Sequence, residues 1–192
     1  LLTHMQPATG VPCNNPASNP SLVALTQRLT TDDAPTYLAV MRAGVKDAIH
    51  MPGGVILLSR TLVEDYESPD VLAGYIIAEQ TRRAARDPLR HMLESVGMLA
   101  TLQLLTTSRL PESAIDEHAK RLLIEKPADI AIEPLLSRFR VQDVPSSPYG
   151  YAIDVTGEQT LGVIEGDPLA GVSEKEVLPD ASWVRLQTIC EG

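Results

Sequence analysis

The sequence predicts an α+β domain, mostly helical with a small antiparallel sheet. Stretches from about Asp70 onward repeat apolar residues at helical spacing. One short, wholly apolar run, Val55 to Leu58, follows the turn chemistry of Pro52-Gly53-Gly54 and reads as a strand covered on both sides. The 192 residues, 44% hydrophobic and 21% charged, suit one well-buried domain rather than a disordered chain.

The elements follow in order. Asn19 or Ser21 caps a first helix carrying Leu22, Leu25 and Leu29 on one face, and Pro35 closes that region. Tyr37 to Met41 and Asp47 to Met51 are short strand candidates. Thr61 to Tyr66 forms a short helix, and Ser68-Pro69-Asp70 caps a longer one to about Ala85, with Leu72, Tyr75, Ile76 and Glu79 along one side. Pro88 opens a further helix to about Leu105. Pro111, with Glu112 beside it, begins another through Leu123. Pro127 to Arg140 makes one more, its stripe being Ile130, Leu135, Leu136 and Phe139.

Beyond Val141, proline and glycine punctuate a tail in which Tyr149, Tyr151, Ile153 and Val155 alternate with small or polar residues, a strand signal. A final short helix starts near Asp180 and buries Trp183, Leu186 and Cys190. The chain thus divides into an N-terminal arm (1–19), a central domain (20–140) and a C-terminal extension (141–192) packed on the same domain.

Sixteen Lys and Arg against 25 Asp and Glu give a net charge of −9. Such a surface repels nucleic acid and anionic membranes at long range. An aromatic content of 4% also argues against a base-stacking surface. No apolar run reaches the roughly 18–20 residues of a membrane span. The opening Leu-Leu-Thr-His reads as the remainder of a signal peptide or anchor, or as an arbitrary boundary; membrane association would run through a segment outside this chain.

Cys13 and Cys190 sit near opposite ends. They are either two separate buried thiols or one disulfide, and the disulfide is the preferred reading because both flanks are weakly structured. It implies an oxidising compartment, hence the cell envelope or periplasm.

The region 47–90 carries the chemistry. A helical zinc peptidase needs two histidines four positions apart on one helix face, with a Glu beside the first as general base. Asp47-Ala48-Ile49-His50-Met51-Pro52-Gly53-Gly54, Ser59-Arg60-Thr61-Leu62-Val63 and Ser68-Pro69-Asp70-Val71-Leu72-Ala73 resemble successive segments of the HtpX and CAAX-prenyl-protease type of His-Glu-x-x-His zinc metallopeptidases. The resemblance covers about residues 20–140. It implies a zincin-like fold with Ile49, His50, Met51, Pro52, Gly53 and Gly54 at the edge of the substrate cleft. The family's His-Glu-x-x-His then falls on Ala78, Glu79, Gln80, Thr81 and Arg82, Arg86-Asp87-Pro88 matches a downstream Arg-His-Pro, and the third ligand position falls on Asp116.

The departures are chemical. Ala78 offers no donor atom, and Arg82 is a permanent cation with no lone pair to give. Asp116 is one methylene shorter than the family's Glu. Zinc, expected of the family, is therefore predicted absent, and Glu79 becomes a vestigial base with no metal-activated water to deprotonate. Arg82, three residues after Glu79, is expected to pair with it and to sit between Glu79 and Asp116 in the volume of the metal. His118 points roughly away from Asp116, and His91 reads as a helix-surface residue.

The function expected is that of a catalytically inactive metallopeptidase homologue, binding a peptide or protein partner by strand addition at the cleft edge. One alternative is a zinc metalloendopeptidase with a rewired site built from Glu79, His50 and Asp116. Another is a structural module whose cleft is filled by its own tail, Pro145 to Pro168.

Overall fold

The structure, a computed structural model, describes residues 1–32, 35–97, 106, 111–171 and 175–191. It is rich in helix, with one three-stranded sheet, and is α+β as expected. The arm, read as weakly structured around Cys13, contains helix α1 (Leu2–Thr9), which turns its Met5 into an apolar cluster. Pro7 inside it hides the helical signal. Helix α2 (Asn19–Leu29) buries Ser21, Leu25 and Leu29.

Strands β1 (Tyr37–Met41), β2 (Ala48–His50) and β3 (Val55–Ser59) stand in the order β1-β3-β2. The sheet is mixed, not antiparallel: β1 runs parallel to β3, and β2 antiparallel to it. Two chain reversals, before and after β2, restore the direction of β1, and β3 then inserts between the two earlier strands. That central place explains the unbroken apolar run, since Ile56, Leu57 and Leu58 are fully buried. The Pro52–Gly54 segment is a single 3-10 turn. Gly54 has φ +81°, and a Cβ there would lie 2.5 Å from the Pro35 carbonyl oxygen, so only glycine fits.

Helix α3 (Arg60–Glu64) is capped by Ser59, and α4 (Pro69–Ala85) by Ser68, whose hydroxyl accepts from the Asp70 amide. Helix α4 is the axis of the molecule, buried continuously from Val71 to Ala78 save Tyr75. Helix α5 (Pro88–Val96) is capped by Asp87; the expected continuation to Leu105 falls largely outside the described residues. Helix α6 (Glu112–Ile124) follows. Helix α7 (Ile132–Gln142) starts five residues later than expected at Pro127: residues 126–131 form no regular element, and Ala131, with ψ 135°, is the N-cap.

The alternation Tyr149, Tyr151, Ile153, Val155 is not a strand. Residues Ser147–Ile153 form α8, with Pro148 in its first turn. Of its residues only Tyr149 and Gly150 are buried, so the period-two pattern reports no sheet face. Gly74 of α4 gives α8 its seat: a Cβ there would meet Tyr149 Cβ at 2.4 Å. Short α9 (Leu161–Glu165) and the final α10 (Asp180–Gln187) complete the chain, and α10 buries Trp183 and Leu186 as expected.

One apolar cluster draws on the arm (Cys13), the central segment (Leu25, Ile56, Leu72, Ile76, Phe139) and the tail (Tyr149, Val163, Trp183, Cys190). A buried amide network crosses it. Gln80 donates to the Leu29 carbonyl and the Thr36 hydroxyl, each at 2.8 Å, and accepts from Gln142. Cys13 and Cys190 form a disulfide, 177 residues apart in sequence. Around it Asn15 donates to the Thr188 carbonyl at 2.9 Å and Arg42 to the Cys190 carbonyl at 2.7 Å. The bond implies a non-reducing compartment. No helix among the described residues is long and apolar enough to cross a membrane.

Candidate functional site

The site is built where β2 passes the last turns of α4. The backbone of β2 alternates: the Asp47 carbonyl and the Met51 amide bond β3, at 2.8 Å each, so Ala48 and His50 direct their amides and carbonyls away from the sheet. β2 ends the strand order and is thus an edge. Facing it on α4 is Glu79, 3% exposed.

The Glu79 carboxylate is engaged at both oxygens. Its Oε2 accepts from the His50 backbone N–H at 3.1 Å and meets His50 Nδ1 at 2.6 Å. An ionised carboxylate only accepts, so this nitrogen carries the hydrogen. Its Oε1 accepts from Arg82 Nη1, and Arg82 Nε donates to the Ala128 carbonyl at 2.8 Å. Arg82 is itself mostly covered, its side chain 16% exposed. One guanidinium thus ties α4 to the extended segment after α6, while one carboxylate ties α4 to the sheet edge.

Tyr149 of α8 stands behind this pair. Burial pushes its phenol above the ordinary range; the Arg82 guanidinium beside it pulls the other way. A pocket of about 180 Å³ opens in front, lined by β2 (Ala48, Ile49, His50), α4 (Glu79, Arg82), Arg86, His91 of α5, and Leu122 and residues 125–128 beyond. His91 packs edge-on against His118, ring centroids 5.9 Å apart. His118 is buried, and desolvation chiefly, with the charge of His91 and Arg121, holds its pKa below the usual value while Glu125 opposes.

The expected residues separate into those the structure brings together and those it does not. Ile49, His50, Glu79 and Arg82 converge on the pocket. Met51 turns into the apolar cluster with Met5 and Leu57, and Pro52–Gly54 form the turn beyond the pocket lining. Ala78 is fully buried in the main core, four residues from Arg82.

Asp116 corrects the expected three-member cluster. Its carboxylate pairs with His4 of α1 at 2.6 Å, and Arg82 takes the Ala128 carbonyl in its place. The reason is α1, which packs on α6 and supplies a partner that a coil arm would not. The Ala128 carbonyl, a main-chain group, has no signature in residue type. Ala48 and Arg86 lay in segments of the resemblance without a site role, and His91, read as a helix-surface residue, instead lines the pocket and packs on His118.

The donor set does not fit a catalytic zinc. Of the positions the resemblance assigns to ligands, Ala78 lacks a donor, Arg82 is a cation already bound to the base, and Asp116 is engaged by His4. Among the described residues no three His, Cys, Asp or Glu side chains gather closely enough to hold a metal ion. Compared with known proteins, the chain matches no protein-family model and no curated protein.

Proposed function

We infer that this chain is a zincin-like domain of the HtpX and CAAX-prenyl-protease type in which an ion pair has replaced the metal, and that it binds an extended peptide or protein segment without cleaving it. The observation that carries the reading is the engagement of both Glu79 oxygens by His50 and Arg82. A general base holds the water it deprotonates, and here both oxygens of the carboxylate are already held by protein groups, Oε2 by His50 and Oε1 by the Arg82 cation. Ala78, Arg82 and Asp116, the ligand positions of the resemblance, keep shape without reactivity.

Binding is supported by the edge. Ala48 presents an outward N–H and C=O, and His50 an outward C=O, beside a pocket with apolar Ile49 and Leu122 in its lining. The tail-filled alternative draws on Tyr149, which stands behind Arg82; yet the lining of the pocket comes from residues 48–128, with none from the tail among the described residues. A cell-envelope setting accords with the disulfide.

The test is a fluorescent library of extended, capped decapeptides, followed for binding and for cleavage. Binding without cleavage is expected, weakened by Ala48→Pro, which removes an outward N–H while leaving the bonds to β3. Chelator-sensitive cleavage, or binding indifferent to Ala48→Pro, would overturn the reading.

A further inference from the structure

The charge around the pocket at Glu79 runs against that of the whole chain, which is −9. Among the described residues, the lining holds the cations Arg82, Arg86 and Lys126 and the carboxylates Glu79 and Glu125. Arg82 and Glu79 are paired with each other and cancel. Arg86 reaches outward to Glu94 at 3.3 Å, but Arg90 holds the same carboxylate more closely, at 2.9 Å. Glu125 and Lys126 are exposed neighbours at the end of α6, and neither forms an ion pair among the described residues. One positive charge is left over, whether the lining alone is counted or Arg90 and Glu94 are added to it. Protonation of His50 or His91, which also line the pocket, adds to that surplus and never reverses it.

The surplus selects what a bound segment carries. Chain laid along the β2 edge takes water off Arg86 and Lys126, whose neighbours in the lining include the apolar Ile49, Leu122 and Pro127. Desolvating a cation is unfavourable unless an anion arrives with the same ligand. A basic side chain adds repulsion, and a neutral one leaves the cost standing. A phosphate, near two negative charges, exceeds a surplus of one. A carboxylate matches it, and a guanidinium and an ammonium both donate to carboxylate oxygens.

We propose that this pocket takes a carboxylate carried by the segment bound at the β2 edge, from an acidic side chain or a free C-terminus, and holds it between Arg86 and Lys126. The assignment rests on the reading of that edge as a peptide-binding one. The chain's net charge repels such a segment at long range, so the selection acts at close quarters, within a Debye length of about 8–10 Å.

The probes are fluorescent decapeptides of alternating Thr and Ala, capped at both ends, with Glu, Gln or Lys at the fifth position. A further Gln peptide keeps its free C-terminal carboxylate. The Glu peptide or the free-acid peptide is expected to bind the intact, disulfide-bonded protein about fivefold tighter than the capped Gln peptide, and the Lys peptide more weakly. Whichever of the two shows the preference identifies the source of the carboxylate. Lys126→Gln is expected to abolish the preference, and Glu125→Gln to enlarge it by about threefold. Both side chains are exposed and outside the pairs that join the elements here, so the fold is retained. Equal binding of the Glu, Gln and Lys peptides, still weakened by Ala48→Pro, would overturn this assignment and leave the edge as a peptide site. A preference for Lys, or one indifferent to Lys126→Gln, would do the same. Binding of none of the peptides would overturn both.

Discussion

Replacing Arg82 with Met removes a guanidinium from a carboxylate whose side chain is only 4% exposed. Stripping one partner from a buried ion pair typically costs about 3–5 kcal/mol, because the other charge stays buried. Here His50 remains, through its amide at 3.1 Å and its imidazole at 2.6 Å, so the lower end applies, about 3 kcal/mol. The loss of the Ala128 tether falls within that figure. Glu79→Met leaves Arg82 covered, with the Ala128 carbonyl as its remaining strong acceptor, and is expected to cost about as much. The double variant carries two apolar side chains and no buried charge, so it recovers a coupling of about 2 kcal/mol relative to the sum. Urea unfolding at neutral pH with the disulfide intact reads this out, provided the m-value is shared by all four proteins. Additivity within about 0.5 kcal/mol would refute the idea that these two side chains form one unit.

Three further outcomes are expected. Gly74→Ala forces a Cβ to within 2.4 Å of Tyr149 Cβ, and should destabilise by about 1–3 kcal/mol while shifting the Tyr149 ring signals in NMR. Reducing the Cys13–Cys190 bond opens a 177-residue loop, worth about 5 kcal/mol in the chain-entropy model, so the urea midpoint should fall sharply on adding reductant. His118 is held below its usual value of 6.5 mainly by desolvation. As pH falls past 6.5 the unfolded chain takes up this proton first, so stability drops, and a His118→Phe variant should show a shallower fall in Tm between pH 8 and pH 5.

Local chemistry made much of the fold legible. Ser68-Pro69 marks the start of α4, Pro52-Gly53-Gly54 the turn, and Ile56-Leu57-Leu58 the central strand, because caps, positive φ and burial on both faces each leave a residue signature. The direction of β1 against β3 leaves none, since pairing partners are set by topology. The alternation at 149–155 misled because only Tyr149 of its four apolar residues is buried, against Gly74, while Tyr151, Ile153 and Val155 are exposed. At the site, the Glu79–Arg82 pair follows from helical spacing. The place of Asp116 does not, for it depends on α1 bringing His4, and α1 carries a proline within it.

The proposed exchange of a metal for a guanidinium is tested most simply by zinc content. The purified protein is equilibrated with excess zinc chloride, dialysed, and assayed for metal per chain alongside Glu79→Ala. Zinc far below one equivalent, and the same in both proteins, is the expected result. One tightly held equivalent in the wild type, removed by a chelator and lost in Glu79→Ala, would contradict it.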